Sequence, residues 1–254
     1  MEQAGLPLEG KVALVTGGSR GLGREMVLAF AGAGADVVIA SRKAAGCEEL
    51  AEEVRRTTGR RALPYAVHVG DWDGLTAMVD AVEEEFGRLD VLVNNAGIAP
   101  TYPSLEEVSE ALFDKVVEVN LKGPFRLTAL VGSRMARAGG GSIINVSSVA
   151  SVRPTPGDLP YAAAKAGLNT LTAGFAGAFG PSVRVNTIMA GPFFTDISRG
   201  WDMETFQEMA DRMPLGRGGE PHEVVGAALY FAGPASSFTT GAVLNVDGGQ
   251  AVIR

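Results

Sequence analysis

Short runs of β-branched and apolar residues alternate with longer helix-period segments from one end of this 254-residue chain to the other. The pattern predicts strands over residues 12–16, 36–40, 62–67, 91–94, 142–147, 184–188 and 243–246. Between them it predicts helices over 21–34, 48–58, 75–86, 109–138, 159–179 and 221–232. The strand runs are continuously apolar, so both faces of each strand must be covered. An α/β fold meets that demand: a doubly wound parallel sheet of about seven strands with helices on both faces. No Pro- or Ser-rich linker, low-complexity tract or repeat divides the chain, so residues 1–254 are expected to form a single domain. The segment 193–213 interrupts the last crossover with Trp201 and a stripe of Phe206, Met209 and Met213. It reads either as a helix docked on the core or as a lid over a substrate pocket, since it follows a Gly-Pro turn.

Composition removes several classes of function. Lys and Arg number 22 against 29 Asp and Glu, a net charge of -7, which disfavours nucleic acid or an anionic membrane as partner. Cys47 is the lone cysteine, so neither an intramolecular disulfide nor a Cys-based metal cluster forms, and no metal site is expected. The opening residues Met1-Glu-Gln-Ala-Gly-Leu-Pro do not resemble a secretory signal, and Asp36 breaks the best apolar stretch. A cytoplasmic protein is the expectation.

Two motifs carry chemistry. The first strand runs into Thr16-Gly17-Gly18-Ser19-Arg20-Gly21-Leu22-Gly23 and then a helix. Glycines there let the backbone turn tightly and approach a pyrophosphate at the positive end of the helix, which makes this a dinucleotide site more readily than a bare turn. The second strand ends in Ser41-Arg42-Lys43, where an acidic residue would greet an unphosphorylated ribose. Arg42 and Arg20 can grip a 2′-phosphate, so NADP(H) is preferred over NAD(H). Further along, Tyr161 is followed by Lys165 one helical turn later. A cation beside a phenol favours the phenolate and brings a weak acid toward its working range.

Together with Asn94-Asn95-Ala96-Gly97, Asn120, Ser148 and Asn245-Val-Asp-Gly-Gly249, these motifs resemble the short-chain dehydrogenase/reductase family over nearly the whole chain. The resemblance implies a Rossmann-like sheet and a catalytic set of Asn120, Ser148, Tyr161 and Lys165. In that set Tyr161 is the general acid and base, and Ser148 donates a hydrogen bond to the substrate oxygen. Lys165 lowers the Tyr161 pKa and binds the nicotinamide ribose, and Asn120 holds a water on a proton route. It implies cofactor contacts from Gly17, Ser19, Arg20, Gly21, Leu22, Gly23, Ser41, Arg42, Val69, Asn95, Ala96, Gly97, Tyr161, Lys165, Gly191, Phe193 and Thr195. Two positions depart from the family pattern. Ala190 stands where proline is usual, which is expected to loosen that loop, and His68 stands where an aspartate usually meets adenine.

The segment Met213-Pro-Leu-Gly-Arg-Gly-Gly-Glu-Pro221 is similar to the 3-oxoacyl-carrier-protein reductase-like branch. True carrier-protein reductases carry basic residues after the long fifth helix and before the sixth strand; here only Arg137 and Arg184 lie near. The expected substrate is therefore a small free ketone or secondary alcohol, with a carrier-bound 3-oxoacyl chain as alternative. Ile98, Val149, Pro192, Phe193, Phe194 and Trp201 would form its apolar pocket, and Arg153 and Arg199 would select an anionic or polyol group. A non-catalytic dinucleotide sensor is a further alternative, with no need for all four catalytic residues. The resemblance also implies a homo-oligomer, a tetramer before a dimer, with small side chains at Ala162-Ala-Ala and Ala173-Gly-Phe-Ala-Gly-Ala178 allowing close helix approach.

Overall fold

A computed structural model describes residues 6–196, 198 and 203–252. Seven parallel strands form one sheet in the order β3-β2-β1-β4-β5-β6-β7. They are β1 Val12–Thr16, β2 Asp36–Ser41, β3 Ala62–Ala66, β4 Val91–Asn94, β5 Gly141–Ser148, β6 Val183–Ala190 and β7 Val243–Val246. Each strand run expected from the sequence is present, and the two long central ones extend further than their apolar cores. Pro64 sits in β3 at the sheet edge, where a missing N–H costs no ladder bond on the open side.

Helices cover both faces. On one side, α1 Gly21–Gly32, α2 Ala44–Thr58 and α8 Val225–Ala232 pack Met26, Phe30, Leu50 and Phe231 against Ala13, Val15 and Ile39. On the other, α3 Trp72–Phe86, α5 Gly123–Arg137 and α6 Leu159–Phe179 pack Leu75, Met78, Leu127 and Ala176 against Leu14, Leu92 and Val185. Alternate residues of the same strand serve opposite layers, which is why the strand runs are apolar throughout.

The continuous helix expected over 109–138 is present, with α4 Glu110–Val117 running into α5 through a π turn at Glu118–Lys122 that widens the helix without interrupting it. The side chain of Asn120 explains the π turn. Its Nδ2 donates to the Val116 carbonyl at 2.9 Å and to the Ile98 carbonyl at 2.9 Å, so a side chain competes for a carbonyl within the helix.

The strand order sets the location of a ligand. The chain steps outward from β1 through β2 to β3, then returns to place β4 on the opposite side of β1. Connections leaving β1 and β4 therefore diverge, and the crevice beyond their carboxyl ends lies at the topological switch point.

Candidate active site

That crevice is a cavity of about 670 Å³. The turn after β1 forms one wall. Gly17 has φ +63°, and a Cβ there would lie 2.9 Å from Asn95 Nδ2 and 3.0 Å from Ala96 Cα. A Cβ on Gly23 would overlap the Gly17 carbonyl oxygen. Only glycine lets this turn, the first turn of α1 and the end of β4 come together. Thr16 Oγ1 accepts from the N–H groups of Asn95 and Ala96 at 3.0 and 3.1 Å, and Asn95 Nδ2 donates to the Thr16 carbonyl at 2.9 Å. The result is a cradle with backbone exposed to the cavity, and it fits a dinucleotide pyrophosphate.

Of the seventeen cofactor positions expected from the sequence, all but Gly23 line the cavity, and Gly23 sits directly behind the wall. Ser41 and Arg42 reach it from the end of β2, where Ser19 Oγ donates to Ser41 Oγ at 3.1 Å. Arg20 is tied across the cavity, its Nη1 donating to Asp196 Oδ2 at 3.2 Å. His68 also lines the cavity, and its Nδ1 accepts from the Gly70 N–H at 3.0 Å. Burial, then the charge of Lys115, holds this imidazole below its ordinary pKa and so neutral at pH 7.

Ser148, Tyr161 and Lys165 meet on the opposite wall. Ser148 ends β5, while Tyr161 and Lys165 project from the first turns of α6, which packs on β5 and β6. Lys165 Nζ donates to the Val146 carbonyl at 2.7 Å and lies 5.7 Å from the centroid of the Tyr161 ring. Burial lowers its pKa from 10.5 to about 8. Burial also pushes the Tyr161 phenol above its ordinary value; a hydrogen bond with Ser148 opposes the rise and the charge of Asp158 adds to it. In this state the Ser148 hydrogen bond is what draws the phenol down. Asn120 is fully buried behind the wall: a Cβ on Gly97 would lie 2.9 Å from Asn120 Oδ1 and 3.6 Å from Lys165 Nζ.

The loop after β6 corrects two expectations. Ala190 is not in a loosened loop: it closes β6, paired with Ser148 on one side and Val246 on the other. Phe193 bridges to Gly219, so successive side chains point to opposite sides. Phe193 faces the cavity with Ile98, Val149 and Pro192, whereas Phe194 turns away and packs edge-on against Phe206, ring centroids 5.2 Å apart. Trp201 and Arg199 lie outside the described residues. Thr205, Phe206 and Met209 of α7 Met203–Ala210 complete this wall, with Arg153, Thr155, Asp158 and Gln250 at its polar end. Sequence reasoning did not single out Asp158 or Gln250. Gln250 was findable, since it follows the Asn245–Gly249 motif directly.

Among the described residues no helix is long and apolar enough to cross a membrane, and no group of three or more His, Cys, Asp or Glu could hold a metal ion.

A family model described as "Enoyl-(Acyl carrier protein) reductase" matches residues 17–251. The 3-oxoacyl-[acyl-carrier-protein] reductase of Thermotoga maritima is 38% identical over 96% of this chain and 99% of its own length. D-threitol dehydrogenase of Mycolicibacterium smegmatis is 36% identical over 96% of this chain and 94% of its own. A crystal structure from Beutenbergia cavernae holding NADP at low occupancy superposes with a TM-score of 0.91 at 34% identity, covering 97% of this chain and 99% of that one. The chain belongs to the short-chain dehydrogenase/reductase family. It is an oxidoreductase of the C–OH/C=O couple that works with a nicotinamide dinucleotide.

Proposed function

We propose that this enzyme uses NADP(H) in preference to NAD(H) to interconvert a small-molecule ketone and a secondary alcohol, with Tyr161 as general acid and base. The convergence of Ser148, Tyr161 and Lys165 on the cavity that also holds the glycine turn carries this reading.

Bound nicotinamide supplies the hydride in reduction and accepts it in oxidation. Gly17, Ser19, Gly21 and Leu22 would hold the pyrophosphate with Gly23 close-packed behind them, and Ser41, Arg42 and Arg20 would hold the ribose phosphate. Val69, Asn95, Ala96 and Gly97 would line the bound cofactor, with neutral His68 near its adenine. Gly191, Phe193, Thr195, Tyr161 and Lys165 hold the nicotinamide end. As the carbonyl carbon is reduced, negative charge builds on the substrate oxygen. The Ser148 hydroxyl donates to that oxygen and the Tyr161 hydroxyl transfers its proton to it. In oxidation the Tyr161 phenolate takes the proton back. Lys165, still largely protonated at pH 7, favours that phenolate, and Asn120 beside Gly97 holds the water through which the proton is exchanged.

Cofactor choice rests on Arg42, which is exposed at the end of β2, while Asp36 lies at the other end bonded to Arg60 and the Arg61 N–H. The relative holding NADP supports the same choice. A free substrate is favoured over a carrier-bound one because Arg184 is spent within the fold, donating to Ser236 Oγ at 2.6 Å and to the Gly233 carbonyl at 3.3 Å. The similarity to a carrier-protein reductase keeps the alternative worth an arm of the test. The segment 193–213 acts as a lid, α7 laying Phe206 and Met209 over the substrate. The enzyme works in the cytoplasm as a homotetramer, through helices that expose Phe125 on α5 and Ala173, Gly174 and Gly177 on α6.

Steady-state assays with NADPH and NADH against small ketones and a carrier-bound 3-oxoacyl thioester test the proposal. NADPH with a free ketone should give the highest kcat/KM, and sedimentation should show a tetramer. A strong preference for the carrier thioester overturns the substrate assignment.

A further inference from the structure

One buried polar atom in the cavity wall has no partner: Gln250 Oε1. The amide nitrogen of the same side chain reaches the Met209 sulfur of α7 at 3.2 Å, a weak acceptor. An unanswered buried amide is costly in a protein interior, and such atoms concentrate where a ligand answers them. Turning the amide over only exchanges an orphan acceptor for an orphan donor.

The backbone presenting this side chain is held firmly. Asp247 accepts from the Gly249 N–H at 2.9 Å and from the Ala251 N–H at 2.8 Å. The Ala251 carbonyl in turn accepts from Arg153 Nη1 at 3.3 Å. The tight turn therefore sets Gln250 into the cavity with the Arg153 guanidinium close by, on the same cavity as Ser148 and Tyr161.

We propose that Gln250, flanked by Arg153, determines specificity at the substrate end of the cavity, and that the enzyme acts on ketones or secondary alcohols carrying at least one further hydroxyl group. This deepens the catalytic reading above and rests on it. A hydroxyl donates to the amide oxygen and accepts from the guanidinium or from a turned amide, so it answers the wall in either orientation. A carboxylate would suit Arg153 but would set an anion against the glutamine oxygen. An unsubstituted acyl chain would leave the glutamine oxygen unanswered.

The test compares kcat/KM for butan-2-one and 1,3,4-trihydroxybutan-2-one, which share a four-carbon skeleton, in wild type, Gln250→Leu and Gln250→Glu. Wild type should favour the hydroxylated ketone by about tenfold or more, and Gln250→Leu should cut that ratio about tenfold, chiefly through KM. Gln250→Glu keeps an acceptor at the same reach and should restore most of the ratio, which a merely structural role would not. A wild-type preference for butan-2-one, or equal losses on both ketones in Gln250→Leu, overturns this inference alone. Failure of wild type to reduce any ketone with either cofactor overturns the catalytic reading and this inference with it.

Discussion

The two ends of the sheet treat polar groups in opposite ways. Where the strands begin, carboxylates are answered on every side. Asp36 accepts from Arg60 Nε at 3.2 Å and the Arg61 N–H at 3.0 Å. Asp90 accepts from Arg88, Lys11 and the Val12 N–H, joining β1 to the approach to β4. Burial pushes the Asp90 carboxyl up, yet the bonds from Arg88, Val12 and Lys11 prevail and hold it below its ordinary value. Where the strands end, groups are left under-answered. Lys165 is buried against the Val146 carbonyl with no carboxylate among the causes of its shifted pKa, Gln250 Oε1 has no partner, and Arg42 borders the cavity. Satisfied charges tie strands together, whereas unsatisfied ones keep interaction energy in reserve for a ligand. Changes at the first end should therefore move stability, and changes at the second should move chemistry.

The largest effect should follow loss of the Tyr161 hydroxyl. Tyr161→Phe removes the proton donor while keeping the ring packing, and turnover should fall by about 1000-fold. NADPH affinity, read by nucleotide fluorescence, should change by less than about threefold. Retained turnover would break the comparison at its catalytic end.

Lys165 is the exception that sharpens it, since a catalytic group here costs stability. Its folded pKa of about 8 lies below the ordinary 10.5, so the unfolded chain holds more protons between those values. Stability should accordingly rise with pH across about 8 to 10.5, relief from a penalty that is complete below that window. Relative to Lys165→Met, the gain should reach no more than about 3 kcal/mol, measured by urea unfolding at several pH values. A flat difference would show that the ammonium is not held in a dry site.

This asymmetry explains what could be read from the chain alone. Strands 12–16 and 91–94 end where their apolar runs end, because burial on both faces writes itself directly into composition. The glycine turn was legible because close backbone approach demands glycine, and Tyr161 and Lys165 because helical spacing makes them neighbours. The π turn at Asn120 was not legible: its side chain bonds to the Val116 carbonyl within the helix and to the Ile98 carbonyl 22 residues away, which periodicity does not register. Phe194 failed for a similar reason, since the Phe193–Gly219 bridge decides which of two adjacent rings faces inward. The place of Gln250 beside the Asn245–Gly249 motif was legible, but its unpartnered oxygen needed the fold, because an orphan atom exists only relative to its surroundings.

At the structural end, Asp90→Ala removes the acceptor of the Val12 N–H and strands two cations. A loss of about 2 kcal/mol is expected, partial exposure of Arg88 and Lys11 keeping it below the cost of breaking a fully buried pair. Activity per folded molecule at 25 °C should be unchanged. A comparable fall in kcat/KM would mean that the two ends are coupled through β1.

The smallest effect should be the one that discriminates between cofactors. Arg42 and Arg20 both border the cavity, but Arg20 already donates to Asp196, so binding a phosphate through it means surrendering an ion pair. That exchange gives back much of what the new contact supplies, and the Arg20 side chain is well exposed. Arg42→Ala should therefore cut the NADPH-to-NADH ratio of kcat/KM by about tenfold, near 1.4 kcal/mol, mainly by weakening NADPH. Arg20→Ala should cut it by less. The reverse order would show that the Arg20–Asp196 pair opens on binding and that the loop after β6 takes part in choosing the cofactor. In that case the under-answered end of the sheet would include a bond that yields on demand as well as groups left waiting.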